Sequence, residues 1–198
     1  SYFSSLAVTM ASESTANPTP APHDFYSDHP TSSCNLIIGD KTLKVSSELL
    51  GMHSHFFRSL FFKANTKKEE EMNEGTPNLI RTEIKDVRLD NVKVEEVIEL
   101  LNIIYPSDAP ITDDNVKFII ELADKYLFNV VLHECEQFLK NGSKLSKEDR
   151  LVIADKYHLC DLVDIIVKDL SKSEISGLIS LKLSERTTKA MVKHLTSS

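Results

Sequence analysis

The sequence predicts an α+β fold, in which a short strand region is followed by helices. The segment "CNLIIGDKTLKVS" at 34–46 has the alternation and the central turn of a β-hairpin. From Val92 onward, apolar residues recur at helical spacing instead. The tetrapeptide Ala-Asp-Lys-Tyr occurs at 123–126 and again 31 residues later at 154–157. These patterns indicate a strand-led domain that continues into repeated helices.

Composition limits the classes of function. The chain has 198 residues and a net charge of −7, whereas nucleic-acid binding needs a concentrated basic face. No apolar run approaches the roughly 20 residues of a membrane-spanning helix. The first ten residues lack the basic start of a secretory signal. We therefore expect no nucleic-acid or membrane partner, and a cytoplasmic or nuclear protein whose three cysteines stay reduced.

Three regions follow from composition and periodicity. Residues 1–30 hold four of the seven prolines and no Lys or Arg, which predicts a disordered Pro/Ser/Thr-rich tail. A folded α+β domain is expected over 31–140. A helical extension is expected over 141–198.

Capping residues and turns mark the elements of the first half. The hairpin turns at Gly39-Asp40, because glycine tolerates a positive φ. Ser46 and Ser54 are placed to cap two short helices, of which the second has a Phe-rich face. The polar residues 63–78 form a predicted surface loop. The segment "LIRTEIKDV" at 79–87 is then expected to form one strand.

The repeated tetrapeptide closes a predicted helix in both copies. Thr112 is predicted to cap the first of these helices, and Ser146 with Asp149 gives a capping-box-like start to the second. Asp, Lys and Tyr together are compatible with an acid–base site. The structural interpretation instead places Ala inward, Asp and Lys in water, and Tyr over the helix end. We favour the structural interpretation, a helix–turn–helix unit used twice, because both copies end a helix.

No constellation typical of an enzyme stands out. His53 and His55 would point about 200° apart on a helix and so could not share a metal ion. No phosphate-cradling glycine motif and no nucleophile-elbow motif occurs. We therefore predict a protein that is not an enzyme and that needs no cofactor and no metal.

The quoted segments resemble a known family. "NLIIGDKTLKVSSELLGMHSHFFRSLFF" at 35–62 is similar to the opening of a BTB/POZ domain, and "VEEVIELLNIIYP" at 94–106 and "ELADKYLFNVVLHECEQFL" at 121–139 resemble its later helices. The resemblance covers about 33–140 and is closest to the nematode-expanded branch, where many members carry a MATH domain; none fits in this chain. It implies a BTB/POZ fold, a small sheet flanked by helical hairpins, followed by an all-α BACK-like extension.

The resemblance also implies self-association, as a homodimer or with another BTB protein. Many relatives have an Asp before the first hairpin strand and a His where the next helix starts, near the dimer centre; here Ser33 and Ser46 stand there. Many relatives also swap a preceding helix and strand between protomers, and residues 1–30 show no such periodicity. The expected dimer contacts lie in the first short helix, at Leu49, Leu50, Met52 and His53.

A further implied partner is cullin-3. Adaptors of the family place an apolar-x-Glu motif in the loop after the Phe-rich helix. Asn65-Thr66-Lys67 does not fit this motif, whereas Met72-Asn73-Glu74 does. The expected cullin contacts are Phe61, Phe62, Met72, Glu74, Phe128 and Asn129.

These implications give two functional hypotheses. The first is a substrate adaptor that self-associates and recruits a cullin-3 ubiquitin ligase to a substrate protein that the sequence does not identify. The alternative is a non-ligase scaffold for homo- or hetero-oligomeric assembly.

Overall fold

The computed structural model describes residues 23–64, 79–107 and 109–196. Strands β1 (Cys34–Ile38) and β2 (Lys41–Val45) form the predicted antiparallel hairpin, with Gly39 at φ 58° in the turn. Strand β5 (Asp86–Arg88) lies parallel to β1 on its other side, which gives the order β2-β1-β5. The small mixed sheet is confirmed.

Two capped helices follow the hairpin, as predicted. Helix α1 (Ser47–His53) begins after Ser46, whose Oγ accepts a hydrogen bond from Leu49 N at 3.1 Å. Helix α2 (His55–Phe61) begins after Ser54, whose Oγ accepts from Phe57 N at 3.1 Å. Each serine satisfies a backbone donor that the first helical turn leaves free.

The prediction of a single strand over 79–87 is wrong. Strand β4 (Leu79–Arg81) pairs instead with β3 (Phe62–Ala64), in a separate two-stranded sheet. The chain bends at Thr82, where its N–H donates to Phe61 O at 2.7 Å and its hydroxyl donates to Leu60 O at 3.1 Å. These bonds tie the bend to the end of α2, so only Asp86–Arg88 reaches the first sheet.

Residues 23–30 do not show the predicted disorder. Residues 23–30 are described, and Phe25 lies in the core with 1% of its surface exposed. Its carbonyl accepts from Lys44 N at 2.7 Å, and its ring meets Tyr105 edge-on at 4.9 Å. A buried aromatic ring and a strand-edge hydrogen bond hold this segment in place, which composition alone did not reveal. Residues 1–22 lie outside the described part.

The rest of the first domain is helical. Helices α3 (Val94–Ile104), α4 (Val116–Lys125) and α5 (Asn129–Asn141) follow in order. Thr112 does not cap α4 with its side chain, contrary to the prediction, because α4 begins after Asn115. Thr112 contributes its backbone instead: its carbonyl accepts from Val116 N at 2.9 Å, and its N–H donates to Asn115 Oδ1 at 2.8 Å.

The helical extension begins with a copy of the α4–α5 unit. Helices α6 (Lys147–Lys156) and α7 (Cys160–Lys168) each start 31 residues after their counterparts, and α8 (Lys172–Leu178) and α9 (Glu185–Thr196) follow. As predicted, Ser146 caps α6, with its Oγ accepting from Asp149 N at 3.0 Å.

Both copies end their first helix in the same way. Leu127 and His158 have φ values of 55° and 56°, a left-handed conformation that is uncommon for residues other than glycine. Just beyond them, Phe128 N donates to Ala123 O and Leu159 N donates to Ala154 O, both at 2.8 Å. This pattern is a Schellman motif, which satisfies the last helical carbonyls. The duplicated supersecondary unit is confirmed.

One detail of the repeat differs from the prediction. Asp124 faces water as expected, but Asp155 accepts hydrogen bonds from Ser184, from its N–H at 2.8 Å and from its hydroxyl. Ser184 directly precedes α9, and its Oγ accepts from Thr187 N. The second copy therefore uses its aspartate to hold the start of the last helix.

The extension is joined to the first domain by polar contacts and by one continuous core. Asp113, before α4, accepts from Ser143 Oγ at 2.6 Å and from Lys144 N at 3.0 Å. Arg150 in α6 donates to Leu139 O in α5 at 3.1 Å. Apolar residues of both parts belong to one buried cluster, in which Leu151 of α6 is fully enclosed. The two hairpin units are thus stacked.

Candidate protein-interaction surface

A buried serine fixes the corner between α1, α2 and the end of α4. Ser54 ends α1 and caps α2, and its hydroxyl also donates to Tyr126 O at 2.6 Å while only 1% of the residue is exposed. His55 N donates to Leu127 O at 3.2 Å. These two bonds bring the first turn of α2 against the turn between α4 and α5.

Apolar side chains stand exposed at this corner. Leu127 is 46% exposed, because the left-handed turn directs it out of the helix pair, and Val130 in the first turn of α5 is 53% exposed. Asn129 and His55 are also exposed. We call His55, Leu127, Asn129 and Val130 the corner surface. Exposed apolar groups beside polar ones are typical of a protein contact.

Two of the predicted cullin contacts lie beneath this surface instead of on it. Phe61 and Phe128 are each 1% exposed. The ring of Phe57 stacks on Phe61 at 6.0 Å and tilts against Phe128 at 5.9 Å. A partner cannot reach rings enclosed in this way, so the prediction that they touch a partner is corrected. They support α2 and the α4–α5 turn from inside.

Phe62 remains partly accessible. It begins β3, and its ring packs against Gly51 of α1 so closely that a Cβ at Gly51 would lie 2.7 Å from Phe62 Cε2. Met72 and Glu74 fall outside the described residues. The two strands on either side of the undescribed residues are paired, with Ala64 opposite Leu79.

Helix α1 presents a second exposed face. Leu49, Met52 and His53 lie at i, i+3 and i+4, which places them on one side of the helix. Met52 is 78% exposed, and Leu49 and His53 are half-buried. We call these three residues the α1 face. Leu50 was expected on the same face but is fully buried. It follows Leu49 directly in the helix, and neighbouring helical residues point to different sides.

A polar cluster anchors the start of α1. The Oγ of Ser33 donates to Glu48 Oε2 at 2.7 Å and accepts from Ser47 N at 2.9 Å, and Arg81 pairs with Glu48 Oε1 at 2.9 Å. Burial raises the pKa of Glu48, but hydrogen bonds from Ser33 and Ser46 and the charge of Arg81 outweigh it, so the pKa is lowered overall. Glu48 is therefore ionised at neutral pH.

This cluster changes the interpretation of Ser33 and Ser46. Ser33 bonds to Ser47 and Glu48, and Ser46 reaches the same carboxylate at 3.1 Å. Sequence reasoning missed Glu48 and Arg81, which lie 33 positions apart and meet only because β4 folds back beside α1. The acidic residue in the first turn of α1 was the one local signal of a cluster here.

The described residues were compared with what a metal site or a reactive thiol needs. Over 23–64, 79–107 and 109–196, no group of three or more His, Cys, Asp or Glu side chains is arranged to hold a metal ion. Burial raises the pKa of both Cys34 and Cys135 to about 12, so these thiols stay protonated. In the same ranges, no helix is both long and apolar enough to cross a membrane.

A mixed sheet under helical hairpins, with exposed apolar faces, defines a protein-interaction fold. Residues 24–143 match the family model of the BTB/POZ domain. The chain therefore belongs to the BTB/POZ domain family, which confirms the resemblance found in its sequence motifs.

Relatives of the chain include two nematode proteins. BTB and MATH domain-containing protein 38 of Caenorhabditis elegans is 34% identical over 150 residues, which cover 76% of this chain and 35% of that protein. BTB and MATH domain-containing protein 36 of the same organism is 28% identical over 139 residues, covering 70% of this chain and 39% of that protein. The chain thus spans between about a third and two-fifths of the length of these relatives.

The domain also occurs in other contexts. Kelch-like protein 41a of Danio rerio is 30% identical over 120 residues, which cover 61% of this chain and 18% of that protein. Among solved structures, the BTB (Tramtrack and Bric a brac) domain of human gigaxonin aligns over 69% of this chain and 99% of its own, with 18% identity and a TM-score of 0.40.

Proposed function

We propose that the chain is a substrate adaptor that self-associates through the α1 face and recruits a cullin-3 ubiquitin ligase through the corner surface. The observation that carries the proposal is the exposure of Leu127 and Val130 beside the start of α2. Met72-Asn73-Glu74, which fits the cullin motif, follows in the chain between β3, which begins at Phe62 directly after α2, and β4.

The second helical unit supports this proposal. Helices α6 and α7 repeat the geometry of α4 and α5, and α7 packs beside α5. The turn at His158 therefore repeats the turn at Leu127, and an elongated partner that reaches Leu127 can continue onto the extension. Interface energy concentrates in a few well-packed apolar contacts, so the contact at Leu127 and Val130 is expected to dominate.

Calorimetric titration with the cullin-3 N-terminal domain tests the proposal. Binding should be micromolar or tighter. Val130→Ala and Met72→Ala should each weaken it at least about fivefold, since truncating a main contact costs more than about 1 kcal/mol. Val192→Ala on α9 is the matched control, because Val192 is also exposed, at 47%, and α9 lies outside both copies of the repeated helical unit. A wild-type protein that releases no heat and forms no complex contradicts the cullin assignment.

A second candidate function is a scaffold without ligase recruitment. The observations that favour it are that Ser33 and Ser46, which stand where many relatives have an Asp and a His, bond to Glu48 instead, and that Asn65-Thr66-Lys67 does not fit the cullin motif. Multi-angle light scattering separates the candidates when combined with the titration. A dimer that does not bind cullin-3 favours the scaffold, and a monomer counts against self-association in both.

A further inference from the structure

A groove runs between helices α7 and α9, which pack against each other. Its volume is about 350 Å³, within the range of about 300–1,000 Å³ that is usual for ligand sites. Each helix contributes three residues at i, i+3 and i+4, which lie on one side of that helix. They are Asp164, Val167 and Lys168 of α7 and Ala190, Lys193 and His194 of α9. We call these six residues the α7–α9 groove.

The groove has an apolar bottom and a basic rim. Val167 is buried and Ala190 is half-buried, whereas Lys168 and Lys193 are exposed. Lysine stems pack along apolar surface while their ammonium groups stay in water. The groove therefore offers apolar contact at its centre and positive charge from both helices.

The carboxylates beside this rim are balanced by other cations. Asp164 pairs with Arg186 of α9 at 3.8 Å. Asp169, which directly follows Lys168, pairs with Lys147 of α6 at 3.0 Å. Lys168 itself pairs with no carboxylate among the described residues. The rim therefore keeps a net positive charge.

This basic groove belongs to a chain that is acidic elsewhere. Residues 1–140 hold 13 Lys and Arg against 22 Asp and Glu, a net charge of −9, whereas residues 141–198 hold 10 against 8, a net charge of +2. After Glu185 the sequence has three basic residues and no acidic one. A long polyanion such as a nucleic acid would be repelled by the rest of the molecule. Charge therefore favours a short acidic segment that contacts the groove alone.

We propose that the α7–α9 groove binds a short acidic segment of a partner protein, in which carboxylates on both sides of an apolar residue meet Lys168 and Lys193. The apolar residue packs on Val167 and Ala190. Charge complementarity of this kind speeds association and disfavours partners of the wrong sign. The groove shares no residue with the corner surface or the α1 face, so this contact does not depend on cullin recruitment.

Fluorescence anisotropy of the full chain with labelled peptides tests the proposal. The peptide Glu-Glu-Leu-Glu-Glu should bind at least about fivefold more tightly than Gln-Gln-Leu-Gln-Gln, since only the first can pair with the lysine rim. The difference should shrink when salt is raised from about 0.05 M to about 0.5 M, because salt screens exposed charges. Equal affinities for the two peptides, or no binding of the acidic one, would overturn the proposal.

Charge reversal assigns the effect to the groove. The double variant Lys168→Glu, Lys193→Glu should lose the preference for the acidic peptide and gain one for Lys-Lys-Leu-Lys-Lys, a gain that an unfolded variant would not show. The double variant Lys41→Glu, Lys85→Glu changes the net charge equally, at exposed lysines of the first domain, and should keep the acidic preference. Equal loss in both variants would mean that only net charge matters, which contradicts a site at the groove.

Two further measurements address other occupants of the groove. Light scattering at rising protein concentration should give the same assembly state for wild type and the groove variant. A short single-stranded RNA with the same charge as the acidic peptide should displace the labelled peptide less well than unlabelled Glu-Glu-Leu-Glu-Glu does. Self-association that depends on Lys168 and Lys193 would make a second copy the occupant, and stronger displacement by RNA would make it a nucleic acid. Either result would overturn the proposal.

Discussion

Because Gly51 has no side chain, the ring of Phe62 can pack closely against α1. Gly51 is a buried residue inside α1, where glycine is ordinarily unfavourable by about 1 kcal/mol relative to alanine. It is tolerated here because the ring of Phe62 occupies the space that a Cβ would fill. The contact brings the start of β3 against α1.

Replacing Gly51 by alanine should therefore have opposite effects on stability in the presence and in the absence of the Phe62 ring. Gly51→Ala should lower the free energy of unfolding by about 1 kcal/mol, because overpacking by one methyl group costs about 1–3 kcal/mol and the gain in helix propensity offsets part of it. In a Phe62→Ala background the clash is absent, so the same change should raise stability by up to about 1 kcal/mol. Urea denaturation of the four proteins measures the coupling, and the same sign in both backgrounds would refute the packing argument.

Asp155 and Asp124 occupy equivalent repeat positions but have different roles. Asp155→Ala removes the acceptor for two Ser184 donors, and hydrogen bonds to a charged group contribute about 1.5–3 kcal/mol when shielded. Asp155 is half-exposed, so we expect a loss of about 1–2 kcal/mol relative to Asp124→Ala. Both substitutions give the same gain in helix propensity, which makes Asp124→Ala a matched control. Equal unfolding free energies for the two variants would contradict this role.

The hydrogen bonds of Asp155 with Ser184 also predict that stability depends on pH. Burial raises the pKa of Asp155, but hydrogen bonds from Ser184 and Thr187 outweigh it and lower the pKa below 3.8. The carboxylate therefore contributes stability that is complete above pH 3.8 and is lost as the pH falls through the lowered value. The difference between wild type and Asp155→Ala should shrink below about pH 4. Denaturation curves at pH 7 and pH 3 measure it, and a difference that grows on acidification would contradict the assignment.

At the scale of elements, the duplicated helix–turn–helix unit depends on a left-handed residue in each copy. His158→Gly should raise the free energy of unfolding by a few tenths to about 1 kcal/mol, because glycine relieves the positive φ but loses more entropy on folding. His158→Val should lower it by about 1–2 kcal/mol, since a β-branched residue is strained there. Thermal unfolding ranks the three proteins, and a valine variant as stable as wild type would exclude the left-handed turn.

The sequence predicted those elements whose signals are local. The β1–β2 hairpin, the Ser46 and Ser54 caps and the two Ala-Asp-Lys-Tyr helices are specified by neighbouring residues, and all are present. The turn at Thr82 was missed because its hydrogen bonds go to the end of α2, about 20 residues away. Strand propensity at 79–87 could not reveal that the chain changes sheets there.

Burial explains the errors in the candidate site. Leu50, Phe61 and Phe128 were expected as contacts from the family resemblance, but such large apolar side chains are also the ones that fold into a core, and all three are buried. Leu127 is exposed because it adopts the left-handed conformation itself, and a single sequence does not reveal which residue does so. Val130 is exposed on the first turn of α5. The Glu48–Arg81 pair was missed for the related reason that it joins distant elements.

At the scale of the whole molecule, the BTB/POZ domain and the helical extension share a core. Arg150, Asp113 and the buried Leu151 hold the second helical unit on the first, so both units present their turns from one stacked body. The nematode relatives extend well beyond the aligned region, so the substrate partner of the proposed adaptor is a question for the longer proteins.

The most direct test of the central claim is a calorimetric titration of the full chain with the cullin-3 N-terminal domain, using wild type, Val130→Ala and Val192→Ala. We expect a complex of micromolar affinity or tighter that Val130→Ala weakens at least about fivefold and Val192→Ala leaves unchanged. Equal affinities for all three proteins would place the contact elsewhere on the molecule. No binding by the wild-type chain would contradict cullin-3 recruitment itself.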